Sequence, residues 1–241
     1  MYTRPVGEIA RHHGMLYHSY ADDTRAYNII ESPSEWSETS DRIISCVEAL
    51  HAWMNRNMLK MNQDKFEFVI FHPKQRKLDL QDFTISFDNN CFTPSEHVKN
   101  LGIIQDRCLT MEKHVSNLVR SCYHQIRCTG RIRQFITIDA CRSLIQSSVI
   151  SRLDYCNVLL YNLPKNLLQR LQLVQNSCAR VITRTRRHEH ITPVLVQLHW
   201  LPIEYRTKYK VLLHTFKALN GLAPQYLRDL LEEYRPTRTL R

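Results

Sequence analysis

"HSYADDTRAY", His18 to Tyr27, sets two carboxylates side by side between two short runs of strand-forming residues. A tight hairpin ordinarily turns on Asn-Gly or Asp-Gly, because the turn needs positive φ and glycine adopts it without strain. No glycine stands in this stretch. Asp22 and Asp23 therefore read either as a solvated acidic turn or as a metal site, where a divalent cation offsets the repulsion between adjacent carboxylates. A hard cation such as Mg²⁺ prefers carboxylate oxygens and keeps positions open for phosphate and water.

Working outward, residues 15–30 read as a β-hairpin with the Asp pair at its tip and Tyr17, Tyr20, Tyr27, Ile29 and Ile30 as strand formers. Ser32, Pro33 and Glu35 then form the start signal of a helix, as cap, first-turn proline and capping-box acid. Ile43, Val47, Leu50 and Met54 recur on one face of that helix. "LKMNQDKFEFVIF" switches to period two and predicts a strand through Phe66, Phe68 and Ile70. "FTISFDNNCF" predicts a second hairpin turning at Asp88–Asn90, and "VKNLGIIQD" one more short strand containing Gly102. The pattern of residues 1–109 is α+β.

From Thr110 the period is helical almost throughout. Thr110 and Thr137 are positioned as caps, Pro164 and Pro202 open further helices, Thr192-Pro193 starts a short segment ending at Trp200, and Gly221 stops the last long helix. Residues 110–241 thus predict an all-α domain. Charge divides at the same place: residues 1–109 hold 12 Lys and Arg against 15 Asp and Glu, whereas residues 110–241 hold 21 against 8, a net of +13. A positive field of that size attracts polyanions, of which nucleic acid is the commonest. No apolar run approaches the roughly 18 residues of a spanning helix. Eight cysteines lack paired CxxC spacing, and with no export signal they read as reduced thiols, with no disulfides expected.

An acidic hairpin in a small α+β unit, followed by a basic helical domain, is the order of a polymerase palm and thumb. The chain resembles the C-terminal part of the reverse transcriptase of non-LTR retrotransposons, the LINE-like elements of the jockey and chicken-repeat branches. Tyr20-Ala21-Asp22-Asp23 matches that family's YxDD catalytic box. "MNQDKFEFVIF" resembles its N-x-x-K-T-E-F segment, aligning Asn62 and Lys65, with Phe66 where the family usually has Thr. "VKNLGIIQD" resembles its primer-grip segment through Leu101 and Gly102. "SVISRLDYCNVLLYNLP", "VQNSCARVI", "HITPVLVQLHWLPIEYR" and "FKALNGLAPQYL" resemble its region after the palm.

The resemblance implies an RNA-directed DNA polymerase that transfers nucleotides with two Mg²⁺ (or Mn²⁺) ions, the metals clamping the attacking hydroxyl and the leaving pyrophosphate. Residues 1–109 would be the C-terminal part of the palm, an antiparallel sheet with a packed helix, and residues 110–241 the thumb-like region. Asp22 and Asp23 would hold metal, and Tyr20 and Ala21 would line the growing primer end. Lys65 would stabilise the leaving pyrophosphate, or else be a solvent-facing strand lysine. Leu101 and Gly102 would seat the primer backbone. The partners implied are an RNA template, a DNA primer and, if the palm is completed, deoxynucleotides, in the nucleus and away from membranes.

Arg120, Arg127, Arg131 and Arg133 form one arginine series, and Arg180, Arg184, Arg186 and Arg187 another. Guanidinium groups grip phosphates without reading sequence, although each can equally belong to a solvated helix face. Trp200, Tyr205 and Tyr209 read as base-stacking residues or, at helical spacing, as core. Two-metal polymerases need a third carboxylate, which the family carries well upstream of its YxDD box, and 21 residues precede Asp22. By itself the chain is therefore expected to be inactive, or a remnant that binds RNA or an RNA–DNA hybrid without catalysis.

Overall fold

In a computed structural model, the described residues are 4–21, 23–62, 66–75, 83–88 and 90–232. The chain divides into two compact units, Met1–Lys99 with Asp106–Leu109, and Asn100–Gln105 with Thr110–Arg241. The class is α+β and mostly helical, with three small two-stranded sheets.

The first unit opens with α1 (Arg4–His12), an element absent from the sequence reading. Val6, Gly7 and Ala10 form its buried face. It ends on Gly14 at φ +67°, with Gly14 N–H donating to Arg11 O and Met15 N–H to Ala10 O, the glycine closure that satisfies otherwise unpaired terminal carbonyls. β1 (Leu16–Tyr20) and β2 (Asp23–Tyr27) follow as the expected antiparallel hairpin. Ser32 Oγ then accepts from Ser34 N–H, while the Glu35 carboxylate reaches back to Glu31 N–H and not to the cap residue itself. A 3₁₀ turn at Pro33–Glu35 leads into α2 (Trp36–Arg56). Ile43 and Leu50 of α2 pack with Met15, Tyr17, Ala10 and Cys46 in a small core.

β3 (Ile85–Phe87) and β4 (Asn90–Phe92) pair antiparallel, with Ile85 and Phe87 buried and Ser86 exposed between them. Trp36 of α2 packs on Phe83 at 4.9 Å, and His51 meets Phe87 edge-on at 5.5 Å. Two expectations fail. Residues 66–73 are irregular and 74–75 a turn, not strand, making isolated backbone bonds such as Ser95 N–H to Phe68 O and His72 N–H to Arg107 O. Alternation predicts an extended backbone, but a strand also needs a neighbour with a continuous ladder. The "VKNLGIIQD" segment is a hairpin, β5 (His97–Asn100) and β6 (Ile103–Asp106), and not one strand. Leu101 and Gly102 both adopt positive φ, +45° and +84°, which is the two-residue turn that matches strand twist. Among the described residues the hairpins remain separate, so the single palm-like sheet expected from the sequence is not seen.

In the second unit, α6 (Lys165–Thr183) is the central helix. Leu167, Leu171, Val174, Cys178, Ala179 and Ile182 make its buried stripe, packed against Val115, Cys122 and Ile126 of α3 (Glu112–Ile132). Thr137 caps α4 (Ile138–Ile145) by accepting from Ala140 N–H at 3.2 Å, and the helix runs through a wider turn, Gln146–Ile150, into α5 (Ser151–Asp154). α7 (Thr192–Gln197), α8 (Ile203–Leu219) and α9 (Gln225–Arg228) complete the unit, the prolines opening α6 and α8 as read. Buried Gln175 donates to Leu201 O at 2.8 Å, and Gln172 accepts from Ile203 N–H at 2.8 Å. Together they satisfy the backbone where α8 begins. Among the described residues no helix is long and apolar enough to cross a membrane.

Candidate catalytic hairpin and basic helix face

The hairpin register pairs Leu16 with Tyr27, His18 with Arg25 and Tyr20 with Asp23, which leaves Ala21 in the turn at the tip. Ala21 sits at φ +56°, a left-handed conformation that costs a non-glycine residue about 1 kcal/mol. Such strain is maintained where the surroundings require that geometry, and it clusters at functional turns. Alternation along the strands gives the hairpin two faces. Tyr17 points to one side, against α1: a Cβ on Gly7 would lie 2.3 Å from the Tyr17 ring, and Arg11 donates to Tyr17 Oη at 3.1 Å. The opposite face carries Tyr20, Asp23, His18, Arg25 and Tyr27. Tyr20 is 70 % exposed, and His18 and Tyr27 stack at 5.6 Å. The tip is therefore open where a reacting strand end would have to approach.

Asp23 lies at the head of β2 with its carboxylate 3.3 Å from the Arg25 guanidinium, which also donates to Lys99 O at 3.0 Å. Asp22 and Lys65, the other two catalytic candidates, fall outside the described residues. Among the described residues no group of three or more His, Cys, Asp or Glu side chains is gathered to hold a metal. A guanidinium beside Asp23 supplies the neutralising charge that a cation would otherwise supply. The described residues thus do not form a two-metal clamp, and no catalytic step is derived through one.

The other candidates lie in the second unit. Leu101 and Gly102 form the β5–β6 turn, where Leu101 O accepts from Tyr155 Oη at 2.7 Å and the Tyr155 ring lies 3.8 Å from where a Gly102 Cβ would be. Arg120, Arg127 and Arg131 come together on one exposed face of α3. Lys113, Asn117 and His124, which the sequence reading passed over, complete that face at spacings of three and four residues, all exposed. The face has no acidic member, and its length is about 27 Å from Lys113 to Arg131 at a rise of about 1.5 Å per residue.

The second arginine series is arranged differently. Arg180 donates to the backbone carbonyls of Arg186 and Glu189, and Arg184 to Arg133 O at 3.2 Å. Arg133 is buried and donates to Val181 O at 2.9 Å, Ile182 O at 2.8 Å and Ile136 O at 3.0 Å, covering carbonyls at the C-terminal end of α6. These guanidiniums hold the α6 terminus and the loop after it, while Arg186 and Arg187 are exposed. Trp200 packs on the core, but Tyr205 and Tyr209 are exposed on α8.

Comparison of the chain with protein-family models, with curated proteins and with solved structures finds no match in any of the three.

Proposed function

We propose that this chain is the C-terminal palm and thumb portion of a non-LTR retrotransposon reverse transcriptase, and that its own contribution is to bind an RNA–DNA hybrid. The observation that carries the reading is the YADD hairpin: a tight turn with Ala21 strained at φ +56°, Tyr20 exposed and Asp23 at the strand head. The tight turn itself calls for positive φ, and the small side chain of Ala21 at the tip is what leaves room for a primer backbone. The basic face of α3, which has no acidic member, supports the same reading, since phosphate contacts supply most of the affinity of sequence-independent binding.

In this reading Asp22 and Asp23 are two of the carboxylates of a Mg²⁺-dependent site whose third is supplied from outside the described residues. The experiment is Asp22→Asn in a protein that includes the completing carboxylate, scored for Mg²⁺-dependent synthesis of DNA on an RNA template. Loss of synthesis with hybrid binding retained is expected; retained synthesis contradicts the assignment. A second reading, hybrid binding without catalysis, is favoured by the Arg25–Asp23 ion pair. It predicts that a completed protein binds the hybrid and extends no primer.

A further inference from the structure

α8 is apolar on two sides, and only one of them is packed. Ile203, Thr207 and Ala218 face the interior. On the opposite side Tyr205, Tyr209, Leu212, Phe216 and Leu219 recur at alternating steps of four and three, each between 54 and 68 % exposed. This is the seam spacing of a two-helix coil. A helix apolar all round belongs in an interior, and a contiguous open patch of this kind marks an interaction surface. We propose that the stripe is the interface of a homodimer in which α8 packs antiparallel against α8 of a second copy, on a two-fold axis at Leu212.

Self-complementarity selects a second copy as the occupant. About an axis at Leu212, Tyr205 meets Leu219 and Leu212 meets Leu212, while Tyr209 and Phe216 of the two copies lie one residue from level and side by side. The flanks agree as well. The two cations beside the stripe are already neutralised within the chain: Arg206 is held by Asp154 through two bonds, at 2.9 and 2.7 Å, and Lys208 by Glu204 at 2.6 Å. In the antiparallel arrangement Arg206 comes opposite Ala218 and Lys208 opposite Phe216, so no like charges oppose one another. Opposed helix dipoles favour this direction over the parallel one. Aromatic side chains bury about 150–250 Å² each. The five residues therefore offer roughly 500 Å² per copy, about 1,000 Å² in the pair, the size of a weak, reversible interface. The equal match of the two faces under a two-fold axis is the requirement of an isologous dimer.

The test is sedimentation equilibrium of the intact chain at concentrations up to about 100 μM, above the micromolar range expected of an interface this small. A monomer–dimer equilibrium is expected. Leu212→Glu sets two carboxylates on the axis and should weaken association at least tenfold, with the circular dichroism and thermal transition unchanged because Leu212 is exposed in the monomer. Tyr209→Glu with Phe216→Glu should also give monomers, whereas Tyr209→Lys with Phe216→Glu should restore the dimer, since position 209 lies beside 216 of the other copy only when the helices run antiparallel. A chain that stays monomeric at the highest concentration overturns the proposal. So does a dimer indifferent to Leu212→Glu, or a monomer in which Leu212→Glu instead abolishes binding of single-stranded RNA.

Discussion

Ala21 concentrates the argument into one backbone angle. Its φ of +56° is tolerated by alanine at a cost of about 1 kcal/mol, is free for glycine, and is worse for a β-branched side chain. Ala21→Gly should therefore stabilise the hairpin by about 1 kcal/mol and Ala21→Val should loosen it, read as slower and faster amide exchange of the paired residues His18 and Arg25. If the turn serves a primer end, both variants of a completed enzyme should lose activity, although only one is destabilised. Gly7 makes the complementary case on the hairpin's packed face. A methyl there collides with the Tyr17 ring at 2.3 Å, and moving Tyr17 also breaks its bond with Arg11. Gly7→Ala should cost about 1–3 kcal/mol by overpacking, measured by urea unfolding.

At the scale of elements, the two arginine series separate into different jobs. Arg133→Leu removes three hydrogen bonds from carbonyls that are partly or fully buried and should destabilise the helical unit by about 2–4 kcal/mol, whereas alanine at Arg120, Arg127 or Arg131 should change stability by no more than about 0.5 kcal/mol. The sequence could not distinguish them. Arg131 and Arg133 are two residues apart, so they lie on different sides of the chain, and which side is interior depends on where α6 ends. Caps and prolines were legible because they act locally: Thr137, Pro164, Pro202 and Gly221 mark boundaries that tertiary packing leaves in place. The irregular run at Phe66–Phe71 and the Leu101–Gly102 turn were misread because strand pairing is not local, and because leucine is an uncommon residue at positive φ. Tyr205 and Tyr209 of α8 read equally as base-stacking residues or core for the same reason: spacing defines a face but not what covers it.

For the whole molecule, charge and burial set the solution behaviour. Burial lowers the pKa of His114, whose Nδ1 accepts from Ile104 N–H. The folded state therefore holds fewer protons at this site than the unfolded chain, and the site's contribution to stability is lost as pH falls through and below the ordinary histidine value of about 6.5. His114→Asn should flatten that part of the pH profile of thermal unfolding between about pH 7.5 and 5. Thiol reactivity should divide by burial. Cys122, pushed up to about 11, and Cys178, raised further by burial beside it, should react only on unfolding, whereas exposed Cys91, Cys128 and Cys156 react in the native state. The central claim is that the basic face of α3 holds an RNA–DNA hybrid, and its most direct test is the affinity of the intact chain for such a hybrid as a function of salt, beside Arg120→Ala/Arg127→Ala/Arg131→Ala. The account predicts a linear fall of log affinity with log salt, and in the variant a loss of about tenfold or more with a slope shallower by about 2–3, one counterion for each phosphate contact removed. Equal affinity and equal slope in the two proteins would contradict it.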